Sequence, residues 1–114
     1  MATNSNEQLL PKISLKERDR RYRLVRKAMA TQGIDVLLLP ANHSRWEQMM
    51  ADSRYLTSIG GFGTEVLTVF PISGEVTGYV FNRSSWWLGV QDWVTDLRDG
   101  RNHWADKAIE RLRE

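Results

Sequence analysis

The chain has 114 residues, of which 41% are apolar, with 16 Lys/Arg against 14 Asp/Glu and a formal net charge of +2. That length suits one domain with a core of its own, and the apolar fraction excludes a disordered chain. The absence of cysteine excludes a disulfide framework and a thiolate metal site, and no run approaches the ~20 apolar residues a membrane span needs.

Residues 1–13 are polar, lack the apolar segment of a signal peptide and contain Pro11. They read as a flexible tail, with the folded domain over 14–114 and a cytoplasmic location as the default. Ser14-Leu15-Lys16-Glu17 is a capping box: Ser14 can accept from the backbone three residues on, and Glu17 can reach back. The helix it opens carries Leu15, Tyr22, Val25 and Met29 on one stripe, and Gly33 is placed as its left-handed stop. Seven of the chain's basic residues fall in this helix (Lys16, Arg18, Arg20, Arg21, Arg23, Arg26, Lys27), against Glu17 and Asp19. The basic character of the chain therefore belongs to one helix.

Ile34 to Leu39 is short and almost wholly apolar, as in a strand covered on both faces. Ser44-Arg45-Trp46-Glu47 is a second capping box, opening a short helix that Asp52-Ser53 should interrupt before Tyr55-Leu56. Glu65–Ile72 and Glu75–Phe81 flank Ser73-Gly74, a two-residue hairpin signal. Gly78 inside the second of these strands marks a bulge or a close backbone approach. Ser84 or Ser85 can cap a short turn through Trp86-Trp87-Leu88. Trp93 to Leu97 reads as a further strand, and the last helix uses Trp104, Ala108, Ile109 and Leu112. That helical pattern reaches Glu114 without a C-cap, the pattern of a chain cut short. The order of elements predicts a three-layer α/β/α domain around a mixed sheet, with the first strand beside the hairpin.

Few residues are arranged for chemistry. His43 and His103 lack the partners of a helical metal-ligand set, so ordinary surface or capping roles are expected. Asp35 opens the first strand, where a metal-dependent nuclease would want further acids. Glu65, Glu75, Asp92, Asp96 and Asp99 have no spacing that requires them to converge there. No serine lies in a nucleophile elbow. Gly60-Gly61-Phe62-Gly63 lacks the lysine of a phosphate loop and fits a turn, or a loop that approaches another chain. The basic helix has acids interleaved and no nucleic-acid signature, so neither nucleic acid nor membrane is an expected partner. Trp86 and Trp87 are adjacent, so in an extended strand they cannot share a face. Tryptophan anchors interfaces, which makes this pair a candidate contact for a subunit or domain.

Several of these pieces, in this order, resemble the N-terminal domain of the creatinase/prolidase/aminopeptidase P family of "pita-bread" hydrolases. They are RKAMATQGIDVLLLP, then RYLTS with Ser58 in place of the usual glycine, then the hairpin, then Asp96-Leu97-Arg98 followed by a helix. The resemblance spans roughly residues 14–114 and implies a ribonuclease H-like topology. It also implies a non-catalytic half, with the catalytic domain expected downstream. In the peptidase branch that domain holds two divalent metals, often Mn²⁺, and removes a residue preceding proline; in the creatinase branch the metal is absent. No cofactor is expected in this chain. The resemblance implies a homodimer in which this domain contributes to the rim of the partner's active site, with Tyr55, Gly61, Phe62 and Gly63 as candidate lining residues. The alternative is a free-standing α/β protein-binding module that uses the basic first helix.

Overall fold

The computed structural model describes residues 12–40, 51–59, 66–80, 84–100 and 103–114, without the side chains at 51 and 84–86. Among the described residues eight elements follow one another: α1 (Leu15–Gln32), β1 (Val36–Leu39), α2 (Ala51–Thr57), β2 (Val66–Pro71), β3 (Thr77–Val80), α3 (Ser84–Val90), β4 (Asp96–Asp99) and α4 (Trp104–Leu112). The four strands form one mixed sheet in the order β1-β2-β3-β4. The first three are antiparallel neighbours and β4 runs parallel to β3.

Alternation along β2 builds the layers. Phe70 faces Tyr22 and Met29 of α1, Leu56 of α2, and Trp93 and Val94. Val66 and Val80, on that same face, meet Ile59 and Trp87 of α3. Leu67, Val69 and Tyr79 point the other way, against Trp104 and Ala108 of α4. Every residue from Val66 to Phe70 is buried, as a central strand with helices on both faces requires. The result is the expected three-layer α/β domain with a mixed sheet. Tyr22 is the keystone of the larger cluster. Its ring stands edge-on to Phe70 at 4.9 Å and its hydroxyl donates to the Leu56 carbonyl at 2.7 Å.

Helix α1 starts and stops where its caps predict. Ser14 Oγ accepts from the Glu17 amide at 3.2 Å, and Gly33 closes the helix at φ 70°. Only half of the capping box forms, because the Glu17 carboxylate turns to Arg20 and Arg21 instead. Leu15 sits on the predicted stripe but stays 42% exposed, since it lies beyond the end of the sheet cluster.

Four expectations are corrected. Strand β1 is a sheet edge, and Leu38 is 45% exposed, because among the described residues the helix on that face, α4, packs over β2 and β3. Asp52 and Ser53 do not interrupt a helix but lie inside α2. Ser53 is buried there, its carbonyl accepting from the Thr57 hydroxyl at 2.6 Å, while Asp52 suits the positive end of the dipole. The hairpin connection runs from 72 to 76 rather than through two residues, with Gly74 at φ 94°. Finally, β4 begins at Asp96, not Trp93. The Gln91 side chain accepts from the Val94 amide at 2.9 Å and donates to the Val94 carbonyl at 2.8 Å. Those backbone groups are thereby satisfied outside the ladder. Gly78 makes a close approach with no bulge: its register is regular, and an added Cβ would stand 2.9 Å from Leu97 Cδ2. The Ser44–Glu47 capping box lies outside the described residues.

Candidate functional site

Helix α1 has two kinds of arginine. Arg18, Arg21 and Arg26 lie along its flanks and reach backbone carbonyls on three other segments. Arg18 donates to Trp93 at 3.2 Å, Arg21 to Tyr55 at 2.9 Å, and Arg26 to Pro71 at 3.1 Å and Gly74 at 2.8 Å. Each guanidinium also lies over aromatic rings. Arg21 is 4.5 Å from the Tyr55 centroid and 5.0 Å from Trp93, and Arg26 is 5.0 Å from Phe70. A planar, weakly hydrated cation tolerates this half-desolvated position, where an ammonium would not.

The outcome of this packing is a fixed Tyr55. Its ring stands on Arg21, its carbonyl is bound by the same guanidinium, and it remains 43% exposed. Arg21 is itself held by Glu17 at 2.8 Å. Hydrogen bonds from Arg20, then from Arg21, bring the Glu17 carboxyl down to about 2. Glu17 is therefore charged throughout the physiological range.

Two residues past Tyr55 the chain turns sharply. Thr57 Oγ1 accepts from the Ile59 amide at 3.0 Å, and Ser58 takes φ 60°, a left-handed conformation that only glycine adopts freely. This turn leads into residues 60–65. Gly61, Phe62 and Gly63 lie outside the described residues, so Tyr55 is the rim candidate whose surroundings are known. Trp86 belongs to α3, with its side chain outside the described residues. Trp87 is half-buried and packs within the chain against Ile59, Val66 and Val80.

A second polar cluster, of which the sequence singles out only Asp96 and Arg98, lies on the α4 side of the sheet. Arg98 donates to both oxygens of Asp96, at 3.0 and 3.1 Å, and to both oxygens of Glu114, at 2.6 and 3.0 Å. The Thr77 hydroxyl donates to Asp96 at 2.6 Å and accepts from Arg111 at 2.7 Å. Burial alone would raise the Asp96 carboxyl, but hydrogen bonds from Arg98 and Thr77 hold it below its ordinary value. Arg98 is correspondingly raised by Glu114 and Asp96. The i, i+2 spacing of Asp96 and Arg98 on one strand face was the available signal. Arg111 and Glu114 arrive through tertiary packing, which no spacing announces. With its acids and bases locked as charged pairs, the cluster fastens α4 to β3 and β4 and has no group poised to exchange a proton near neutral pH.

Other candidates do not converge. Among the described residues no three His, Asp or Glu side chains approach closely enough to hold a metal. Asp35, Asp92 and His103 are exposed, and His103 begins α4 without a capping hydrogen bond from its side chain. The open depression lined by His103, Asp106, Lys107, Glu110 and Arg113 is built from the outer surface of α4. His43 and Glu65 lie outside the described residues. No helix among the described residues is long and apolar enough to cross a membrane. The chain matches no protein-family model and no curated protein.

Proposed function

We propose that this chain is the non-catalytic N-terminal domain of a creatinase/prolidase-type hydrolase, with an Xaa-Pro metallopeptidase as the parent enzyme. The observation that carries the reading is the backbone at Ser58. The family's Arg-Tyr-Leu-Thr-Gly segment has a glycine at this position, and here the position is left-handed, at φ 60°. A glycine in the motif and a left-handed turn in the fold are the same physical requirement. The order of elements supports the reading too: basic helix, apolar strand, helix ending in Tyr55-Leu56-Thr57, hairpin, then Asp96-Leu97-Arg98 and a final helix.

In this reading the domain pairs subunits and lines the rim of the partner's cleft, with Tyr55 and the loop of Gly61, Phe62 and Gly63 as the lining. Trp86 and Trp87 are the candidate contact. A ribonuclease H-like path for the chain, a cytoplasmic setting and a homodimer go with it. The divalent metals of such a parent would be held by the downstream domain.

The test is enzymatic. The purified chain, with and without Mn²⁺, should hydrolyse no Xaa-Pro peptide. Turnover that persists through repurification and co-elutes with the chain would refute a non-catalytic role.

A further inference from the structure

We propose that the outer face of α1 is a docking surface for an acidic helical segment of another protein. Lys16, Arg20, Arg23 and Lys27 recur at i, i+4, i+7 and i+11, which places them on one face of the helix. All four are exposed. The face lies opposite the stripe of Tyr22 and Met29, which are buried. The arginines used in packing, Arg18, Arg21 and Arg26, stand on the flanks and are not part of it. Among the described residues Lys16, Arg23 and Lys27 make no side-chain hydrogen bond or ion pair. Arg20 shares Glu17 with Arg21, yet its side chain keeps 49% of its exposure. Four cations thus line a straight ridge about 16 Å long.

Two further observations choose the partner. Leu24 lies on this same face between Arg20 and Lys27 and is 47% exposed. A phosphate backbone gains nothing from a leucine, whereas an amphipathic helix can cover it with an apolar side chain. Asp19 borders the ridge with its side chain 62% exposed. Paired with Arg18 at 2.9 Å, it gives the ridge a border of mixed charge, where a partner helix can place a residue of either sign and a uniform polyphosphate cannot. A partner helix with carboxylates at the same spacing, flanking one apolar residue, matches the ridge in charge, length and apolar contact. This inference does not depend on what lies downstream of the chain.

The experiment titrates the ¹⁵N-labelled full chain by NMR with a synthetic helical peptide of about 20 residues. The peptide carries glutamates at i, i+4, i+7 and i+11 beside one leucine. Expected are shift changes confined to Lys16, Arg20, Arg23, Leu24 and Lys27, and binding that weakens about tenfold between about 50 mM and about 300 mM NaCl. The double variant R23Q/K27Q, which removes no side-chain hydrogen bond or ion pair among the described residues, should melt like the parent and bind about tenfold more weakly. L24S should also weaken binding. A short DNA duplex that binds more tightly than the peptide, at the same residues, would overturn the proposal in favour of nucleic acid. Peptide binding indifferent to both variants, or absent at low salt, would overturn it outright.

Discussion

Ser58 shows how one residue can record a constraint. At φ 60° a residue with a Cβ sits in a conformation that costs roughly 1–2 kcal/mol relative to the right-handed one. The fold keeps it there because Thr57 and Ile59 on either side are fully buried. Replacing Ser58 with glycine should therefore stabilise the chain by about 0.5–1 kcal/mol, the relief of strain less glycine's greater unfolded-state entropy. The midpoint of urea unfolding checks this, and an unchanged or lower midpoint would show that the turn is not strained. Tyr22 offers a second test at this scale. Burial raises its phenol to about 12, above its ordinary 10. Its ionised form is thus disfavoured in the fold. Stability should hold below pH 10 and fall as pH rises from 10 towards 12, by roughly 3 kcal/mol in all. Tyr22→Phe should flatten this alkaline limb. It should also cost about 1–2 kcal/mol at neutral pH, since the buried Leu56 carbonyl loses its donor.

At the scale of elements, α1 combines two roles that its composition alone runs together. Its flanking arginines staple the hairpin, the end of α2 and the Trp93 turn, while its outer cations face solvent. Arg26→Met keeps the apolar stem but removes the donors to Pro71 and Gly74. It should raise amide hydrogen exchange around residues 72–76 several-fold and leave the α4 side of the sheet unchanged. The glycines divide by what faces them. At Gly78 an added methyl meets the flexible end of Leu97, so Gly78→Ala should cost less than about 1 kcal/mol. At Gly100 it collides with the Trp104 ring, which must move as a rigid body and carry the start of α4 with it. Gly100→Ala should cost about 1–3 kcal/mol and change the near-ultraviolet signal of tryptophan. Equal melting temperatures for the two variants would contradict this reading of the packing.

The same contrast explains what the sequence revealed at this scale. Helix α1 announces itself through its caps, the hairpin strands through their apolar runs and α4 through its periodicity, although Ile109 and Leu112 of the expected stripe stay 47% exposed; all these signals are local. The start of β4 is hidden because the Gln91 side chain satisfies the Val94 backbone, and no alternation pattern reports that. Tyr55 stands out as a motif residue, but Arg21, which holds it, looks like one more charge on a basic helix. The cluster of Thr77, Asp96, Arg98, Arg111 and Glu114 is legible only at Asp96 and Arg98, for a related reason: its members lie up to 37 positions apart and meet only once α4 docks.

For the molecule as a whole, carboxylates set the acid limit. Glu17, Asp96 and Glu114 are all held below their ordinary values by arginine neighbours. A lowered folded-state value contributes stability above the unfolded range, and this is lost as pH falls through the folded value. The melting temperature should therefore be level near neutrality and decline below about pH 4. Arg98→Met should shift that decline, since one guanidinium serves both Asp96 and Glu114. The central claim is that this fold is the non-catalytic half of a larger hydrolase. It is tested most directly by reading the coding DNA beyond Glu114. The account predicts an open frame that continues into a pita-bread domain with two Asp, one His and two Glu as metal ligands, or with those ligands lost in the creatinase branch. A stop codon at or near Glu114, or a downstream domain of another kind, would contradict it and leave a free-standing binding module built around α1.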